Sequence, residues 1–320
     1  MESSLALEVA AFLLGLLFGS FLNVIISRVP RHESISRPRS HCPNCNAPVR
    51  WFDNVPILSW VLLRGRCRSC NEVISWRYPA VELATGIWFA VCAGLLSAHS
   101  SHSSHTSRAQ GHAGSPFSPG LSLDLPVVLA CLSIGLLGFF LIALIVIDWQ
   151  TQTLPDALTS GGILASFLLT SAQAIFLGPE QDVHLHRRNP LTSPGAVIDR
   201  GNLLLTGPEA LLGQWLLSML SAAALLLLIR WLYRALRHRE GMGLGDVKLM
   251  ALIAAFLGFW PAILALFTGV LLATVYAAGL LARRRADALT RLPFGSFLGA
   301  GGLLSAVAGP QIIGWYKSLL

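Results

Sequence analysis

Charge is what this sequence has least of. Asp, Glu, Lys and Arg make up 12% of the 320 residues, against 54% hydrophobic residues and a mean hydropathy of +0.63. A soluble globular domain carries roughly twice that charge, so a water-soluble fold of ordinary composition is excluded. No stretch between the apolar runs is long enough to hold a soluble domain of ordinary size, and no glycine-rich nucleotide-binding loop is present. The first apolar run, about Leu5 to Ile26, lacks a basic flank before it and a small-residue cleavage site after it. Those features mark a signal peptide, and without them the run reads as a retained helix.

What is present is a series of apolar runs. A hydrocarbon core of about 30 Å needs about 20 helical residues to cross. The runs predict an all-α polytopic membrane protein of about eight helices: 5–27, 80–98, 126–147, 157–177, 209–229, 247–258, 261–282 and 294–316. Summing basic residues over alternate loops tests that count, because cytosolic loops hold the excess of Lys and Arg. One side receives the arginines from Arg28 to Arg77, from Arg230 to Arg239 and from Arg283 to Arg291. The other receives Arg108, Arg187, Arg188, Arg200 and Lys317. The asymmetry predicts both termini outside the cytosol and the cysteine-bearing loop inside it. It also accounts for the net charge of +7 as membrane orientation, leaving nucleic-acid binding without support.

The predicted organisation is a first transmembrane helix over 1–27, a cytosolic four-cysteine zinc-binding domain over 28–79, and a transmembrane core over 80–320. That core carries two polar outer loops, 99–125 and 178–208, expected to be mobile from their Ser, His, Gly and Pro content. The histidines His99, His102, His105 and His112 fall in this low-complexity setting and read as solvated loop residues, not ligands.

Of six cysteines, Cys92 and Cys131 lie alone in apolar runs and read as small core residues. The other four form Cys42-Pro-Asn-Cys45 and Cys67-Arg-Ser-Cys70. Two such knuckles at this separation have zinc-ribbon spacing, each supplying two thiolates to one tetrahedral ion, and the doubling favours zinc over the competing readings of a redox pair, disulfides or an iron centre. Four thiolates leave no open position, so the metal is structural. A loop of this size has too little apolar surface to order itself, and metal binding supplies the missing folding energy.

Among the scarce carboxylates, Asp148 directly follows Leu144-Ile145-Val146-Ile147 at the end of the third helix. There it opposes the helix dipole, so capping does not explain it. Asp246 ends Gly241-Met-Gly-Leu-Gly-Asp246 and opens the short sixth helix, where N-capping is a sufficient structural explanation. If that helix turns back at Gly258-Phe259-Trp260-Pro261, it is too short to span the core, and Asp246 lies below the membrane surface, where a carboxylate is costly unless functional. Loop parity brings both aspartates to the membrane from the cytosolic side. Two close carboxylates share one proton, and the resulting base and acid can activate water and protonate a leaving amine. Asp156, in Leu154-Pro155-Asp156, rivals Asp148 but reads better as the cap of the fourth helix.

Two non-peptidase readings compete. A proton- or cation-coupled transporter would use the two carboxylates as carriers, but one Gly-interrupted short helix is found where two halves should each have one. A zinc-ribbon membrane scaffold would leave the aspartates without a purpose.

Several motifs resemble the bacterial prepilin peptidases, or type IV leader peptidases. They are Gly19-Ser20-Phe21-Leu22-Asn23-Val24, Asn54-Val55-Pro56-Ile57-Leu58-Ser59-Trp60, Tyr78-Pro79-Ala80-Val81-Glu82-Leu83, the stretch Asp148 to Asp156, Gly243-Leu244-Gly245-Asp246 with Val247-Lys248-Leu249, and Pro293-Phe294-Gly295-Ser296-Phe297. The last departs from the family's Pro-Phe-Gly-Pro-Phe by serine for proline. The resemblance implies a G-x-G-D intramembrane aspartic peptidase of the bacterial inner membrane, in contact with membrane lipid, with Asp148 and Asp246 as its catalytic pair. It implies removal of the leader of type IV prepilins and type II secretion pseudopilins on the cytosolic side. Members with the cysteine loop also methylate the new N-terminus using S-adenosylmethionine, for which no binding residues are assigned.

Overall fold

The computed structural model describes residues 2–37, 39–109, 125–187, 208–237, 243–283 and 292–319. Among them the structure is helical apart from the cysteine loop, whose extended backbone is limited to two isolated bridges, His41 with Pro48 and Arg66 with Val73. The helices are α1 Glu2–Arg28, a short α2 Leu58–Leu62, α3 Arg77–Ala109, α4 Leu125–Thr151, α5 Asp156–Arg187, α6 Pro208–Arg237, α7 Leu244–Leu257, α8 Phe259–Ala282 and α9 Phe294–Ser318. Six of them contain spans long and apolar enough to cross a membrane: Ser4–Arg31, Arg77–Ser97, Val128–Thr151, Asp156–Ile175, Leu211–Arg237 and Phe259–Ala282. Phe294–Gly309 within α9 is apolar but shorter.

Helices α3 and α5 continue past their apolar spans, to Ala109 and Arg187, into the segments expected as loops. Once a helix is nucleated each further residue adds one hydrogen bond, and 99–109 contains neither glycine nor proline to stop it. The remainder of the two predicted outer loops, 110–124 and 188–207, with His112 and Arg188, lies outside the described residues.

The chain divides into two compact units, Met1–Ile147 and Asp148–Leu320. In the first, α1 and α3 pack at backbone distance. A Cβ on Gly15 would stand 2.7 Å from the Thr85 carbonyl oxygen, and one on Gly19 would stand 2.6 Å from Glu82 Cα. This small-xxx-small pair permits the close approach that drives helix association where lipid offers no hydrophobic force. Asn23 Nδ2 donates to the Tyr78 carbonyl at 3.0 Å, and Trp88 Nε1 donates to the Ile134 carbonyl of α4 at 3.0 Å. Cys92 is buried in the core, and the half-buried Cys131 donates its thiol to the Cys92 carbonyl at 3.7 Å.

In the second unit, α7 is the buried element. Val247 and Leu249 through Ala255 are all buried, among neighbours on α5, α6, α8 and α9. Its 14 residues span about 21 Å at 1.5 Å per residue, less than a hydrocarbon core. It stops at Gly258, whose φ of 87° suits glycine and not an L side chain. From there α8 turns away with Phe267, Val270, Leu271 and Val275 exposed, an apolar face suited to lipid.

Candidate active site and metal-binding loop

Asp148 lies in the last turn of α4 and is 5% exposed. Its carboxylate meets the start of α9. Oδ2 accepts the Ser296 backbone N–H at 2.7 Å and the Ser296 hydroxyl at 3.0 Å. Ser296 is the third residue of α9, in the first turn, whose N–H groups lack the usual carbonyl four residues back, and its N–H is shared with the Pro293 carbonyl at 3.2 Å. The expectation that capping does not explain Asp148 is thereby corrected: its carboxylate caps α9, a helix distant in sequence.

Contact with the carboxylate is close enough to dictate the neighbouring residue. A Cβ on Gly295 would fall 3.0 Å from Asp148 Oδ2 and 3.1 Å from Leu154 Cδ1. One on Gly245 would likewise fall 3.1 Å from Leu154 Cδ1. Leu154 is thus seated against both the glycine before Ser296 and the glycine before Asp246.

Asp246 is the third residue of α7, and Gly243 occupies the N-cap position with no side-chain bond. The aspartate is therefore not the cap that its place in the sequence suggests. Its carboxylate receives the Gly243 backbone N–H, the reach-back of a third-position acid to the cap residue. Asp246 is half-buried and interacts electrostatically with Asp148. Asp156 opens α5 and faces outward, its carboxylate paired at 2.6 Å with Lys248, both groups substantially exposed. Asp148 and Asp246 lie within electrostatic reach of each other, whereas Asp156 is engaged in a surface ion pair. Beside them, Trp149, Tyr276 and Phe297 form an aromatic group with centroids 5.3 to 6.2 Å apart.

The four loop cysteines also converge, with all their Sγ atoms within 4.8 Å of one another. Cys42 Sγ and Cys70 Sγ are 3.8 Å apart, the edge of a tetrahedron whose metal–sulfur bonds are about 2.3 Å. The donor set and its spacing fit a tetrathiolate metal. The two knuckles are built alike. Cys42 N–H donates to Ala47 O and Asn46 N–H to Cys42 O, while Cys67 N–H donates to Glu72 O and Asn71 N–H to Cys67 O. Asn46 and Asn71 sit at φ 55° and 56°, in the left-handed region that asparagine tolerates better than most residues. The repeated unit is Cys-x-x-Cys-Asn, whose asparagines carry no role in the sequence reading; Ser296 is noted there only as a serine in place of the family's proline, with no contact to Asp148 expected. Backbone N–H groups of Cys70 and Ser69 hold the Cys67 thiol down at about 7. At Cys45 the Ala47 N–H favours the thiolate, but desolvation and the neighbouring thiols outweigh it and push the group up to about 11.

Around the knuckles, Arg68 grips Asp53 in a bidentate pair at 2.6 to 3.1 Å, which holds the Asp53 carboxyl below its ordinary range. Trp60 Nε1 donates to the Ile74 carbonyl at 3.1 Å.

Two family models match the sequence: the bacterial peptidase A24 N-terminal domain over residues 13–95 and the type IV leader peptidase family over residues 189–278. A prepilin leader peptidase/N-methyltransferase of Aeromonas hydrophila is 30% identical over 95% of this chain and 92% of its own length. One of Burkholderia pseudomallei is 32% identical over 91% and 82%. A type 4 prepilin-like proteins leader peptide-processing enzyme of Escherichia coli is 31% identical over 93% of each. No solved structure matches. With relatives of that identity aligned along nearly its whole length, the chain belongs to the type IV leader peptidase family.

Proposed function

We propose that this chain is a multi-pass inner-membrane aspartic peptidase that cleaves the leader from type IV prepilins or secretion pseudopilins and then methylates the exposed N-terminus. What supports the peptidase reading is the electrostatic interaction of Asp246, at the start of the short, buried α7, with Asp148, in the last turn of α4. Two carboxylates at close range hold one proton between them. One takes a proton from water as it attacks the scissile carbonyl, and the other gives its proton to the leaving amine. No nucleophilic side chain is required.

The arginine asymmetry of the loops supports an orientation with the termini periplasmic and the cysteine loop and dyad cytosolic. A dyad at that boundary reaches the junction between a charged leader and a membrane-embedded helix. Cys42, Cys45, Cys67 and Cys70 would hold one zinc ion, which closes the loop and has no free position for chemistry. S-adenosylmethionine would supply the methyl group, transferred to the new amine.

The test is the mass of a candidate pilin's N-terminus after co-expression with and without this protein. The expected result is loss of the leader and a gain of one methyl group. A full-length, unmodified pilin in both samples would defeat the proposal.

A further inference from the structure

We infer that Ser296 is a positioning residue that makes Asp148 the ionised member of the pair, the base, and leaves Asp246 the proton donor. This deepens the peptidase reading and rests on it.

The argument starts from what surrounds each carboxylate. Asp148 is nearly excluded from solvent at the C-terminal end of α4, where its own helix dipole disfavours negative charge. Two donors from one residue converge on a single oxygen, Oδ2: the Ser296 N–H at 2.7 Å and the Ser296 hydroxyl at 3.0 Å. Both bonds strengthen as charge develops on Oδ2, and the positive end of α9 lies behind them. Hydrogen bonds to the charged form favour it. Asp246 receives one backbone N–H, from Gly243, and faces the charge of Asp148.

Other groups near the pair do not reverse this. Lys248 of α7 is engaged by Asp156 of α5, and Tyr276 of α8 packs on Trp149 and Phe297. Among the described residues, the charged group set against Asp148 is Asp246 itself.

The reaction then runs in one direction. Water gives a proton to Asp148 as its oxygen bonds to the scissile carbonyl carbon. The C–N bond breaks as Asp246 protonates the leaving nitrogen. The proton left on Asp148 passes to Asp246 and restores the pair.

The test uses the full-length protein in proteoliposomes and the pH profile of kcat/KM for leader cleavage. Ser296→Ala removes the hydroxyl donor. Ser296→Pro removes both donors, and proline is tolerated in the first turn of a helix. Fewer bonds to the ionised form mean that the base is protonated at higher pH. The acid limb should therefore move upward in Ala and further in Pro, with activity on that limb falling about tenfold per pH unit of displacement. Ser296→Thr, which keeps both donors, should restore the wild-type limb. An unmoved acid limb in Ser296→Pro, or displacement of the alkaline limb instead, would overturn the assignment. If the proline variant does not accumulate in the membrane, the acid limb of Ser296→Ala decides alone. If Asp148→Asn cleaves normally the dyad itself fails; if Asp148→Asn is inactive while the Ser296 variants keep the wild-type limb, only this inference fails.

Discussion

The carboxylate of Glu82, on α3, accepts the backbone N–H of Ile57 at 2.7 Å. Ile57 stands at φ 58°, a region costly for a β-branched residue, and Glu82 is 8% exposed. The first membrane-embedded carboxylate of α3 thus holds a strained turn of the cysteine loop. Glu82→Ala should leave that N–H without its acceptor, weakening the turn by about 1–3 kcal/mol, whereas Glu82→Gln should keep it. Limited proteolysis of membranes, scored for cuts between Asn54 and Leu58, should rise with alanine and not with glutamine.

Asp148→Asn and Asp246→Asn should each reduce leader cleavage by at least about a hundredfold, the usual scale for loss of a general acid or base, with normal accumulation in the membrane. Asp156→Asn should stay within about threefold of wild type, because an exposed ion pair contributes about 1 kcal/mol or less. Mass spectrometry of the processed pilin reads all three, and full cleavage by either of the first two variants would refute the pair.

Gly295 and Gly245 should differ in what a methyl group does. At Gly295 the new Cβ meets the Asp148 carboxylate at 3.0 Å; at Gly245 it meets only the side chain of Leu154, which can move. Gly295→Ala should therefore cost about tenfold or more in activity, roughly 1.4 kcal/mol, and Gly245→Ala less. Adding Leu154→Ala should relieve Gly245→Ala but not Gly295→Ala. A double-mutant cycle measures that coupling, and equal rescue of both would contradict the packing described.

Cys42→Ser should lower bound metal in the purified protein to well below one ion per chain, since a tetrathiolate with one thiol missing is a weaker site. The loop should become protease-sensitive while the helical circular dichroism is unchanged. Full metal content in this variant would refute the four-thiol centre.

How much of this is legible beforehand depends on where each signal lives. The apolar runs, the turn at Gly258 and the cysteine pairs are local patterns, and the helices and the thiol cluster follow them. The anomaly of Asp148 at the wrong end of its helix is visible too. Its resolution is not, because the start of α9 is separated from it by 148 positions and no local pattern announces which helix end a carboxylate will cap. Asp246 reads as an N-cap from its glycine-rich approach, yet helix α7 begins two residues earlier because Leu244 and Gly245 adopt helical geometry. Leu154 reads as filler before a proline, and its contact with two glycines exists only in three dimensions. The asparagine after each cysteine pair is the exception: it stands in the sequence twice at the same offset and is recognisable there.

The bond from Asn23 to the Tyr78 carbonyl, together with the glycine-to-backbone seam of α1 and α3, ties the two ends of the cysteine loop together inside the bilayer-sized helices. Ring closure normally costs a flexible chain entropy that grows with the logarithm of its length, and here that cost is met before any metal arrives. Stripping the metal should therefore melt only the interior of a tethered ring, which can re-form on re-addition without the chain having to find its own ends.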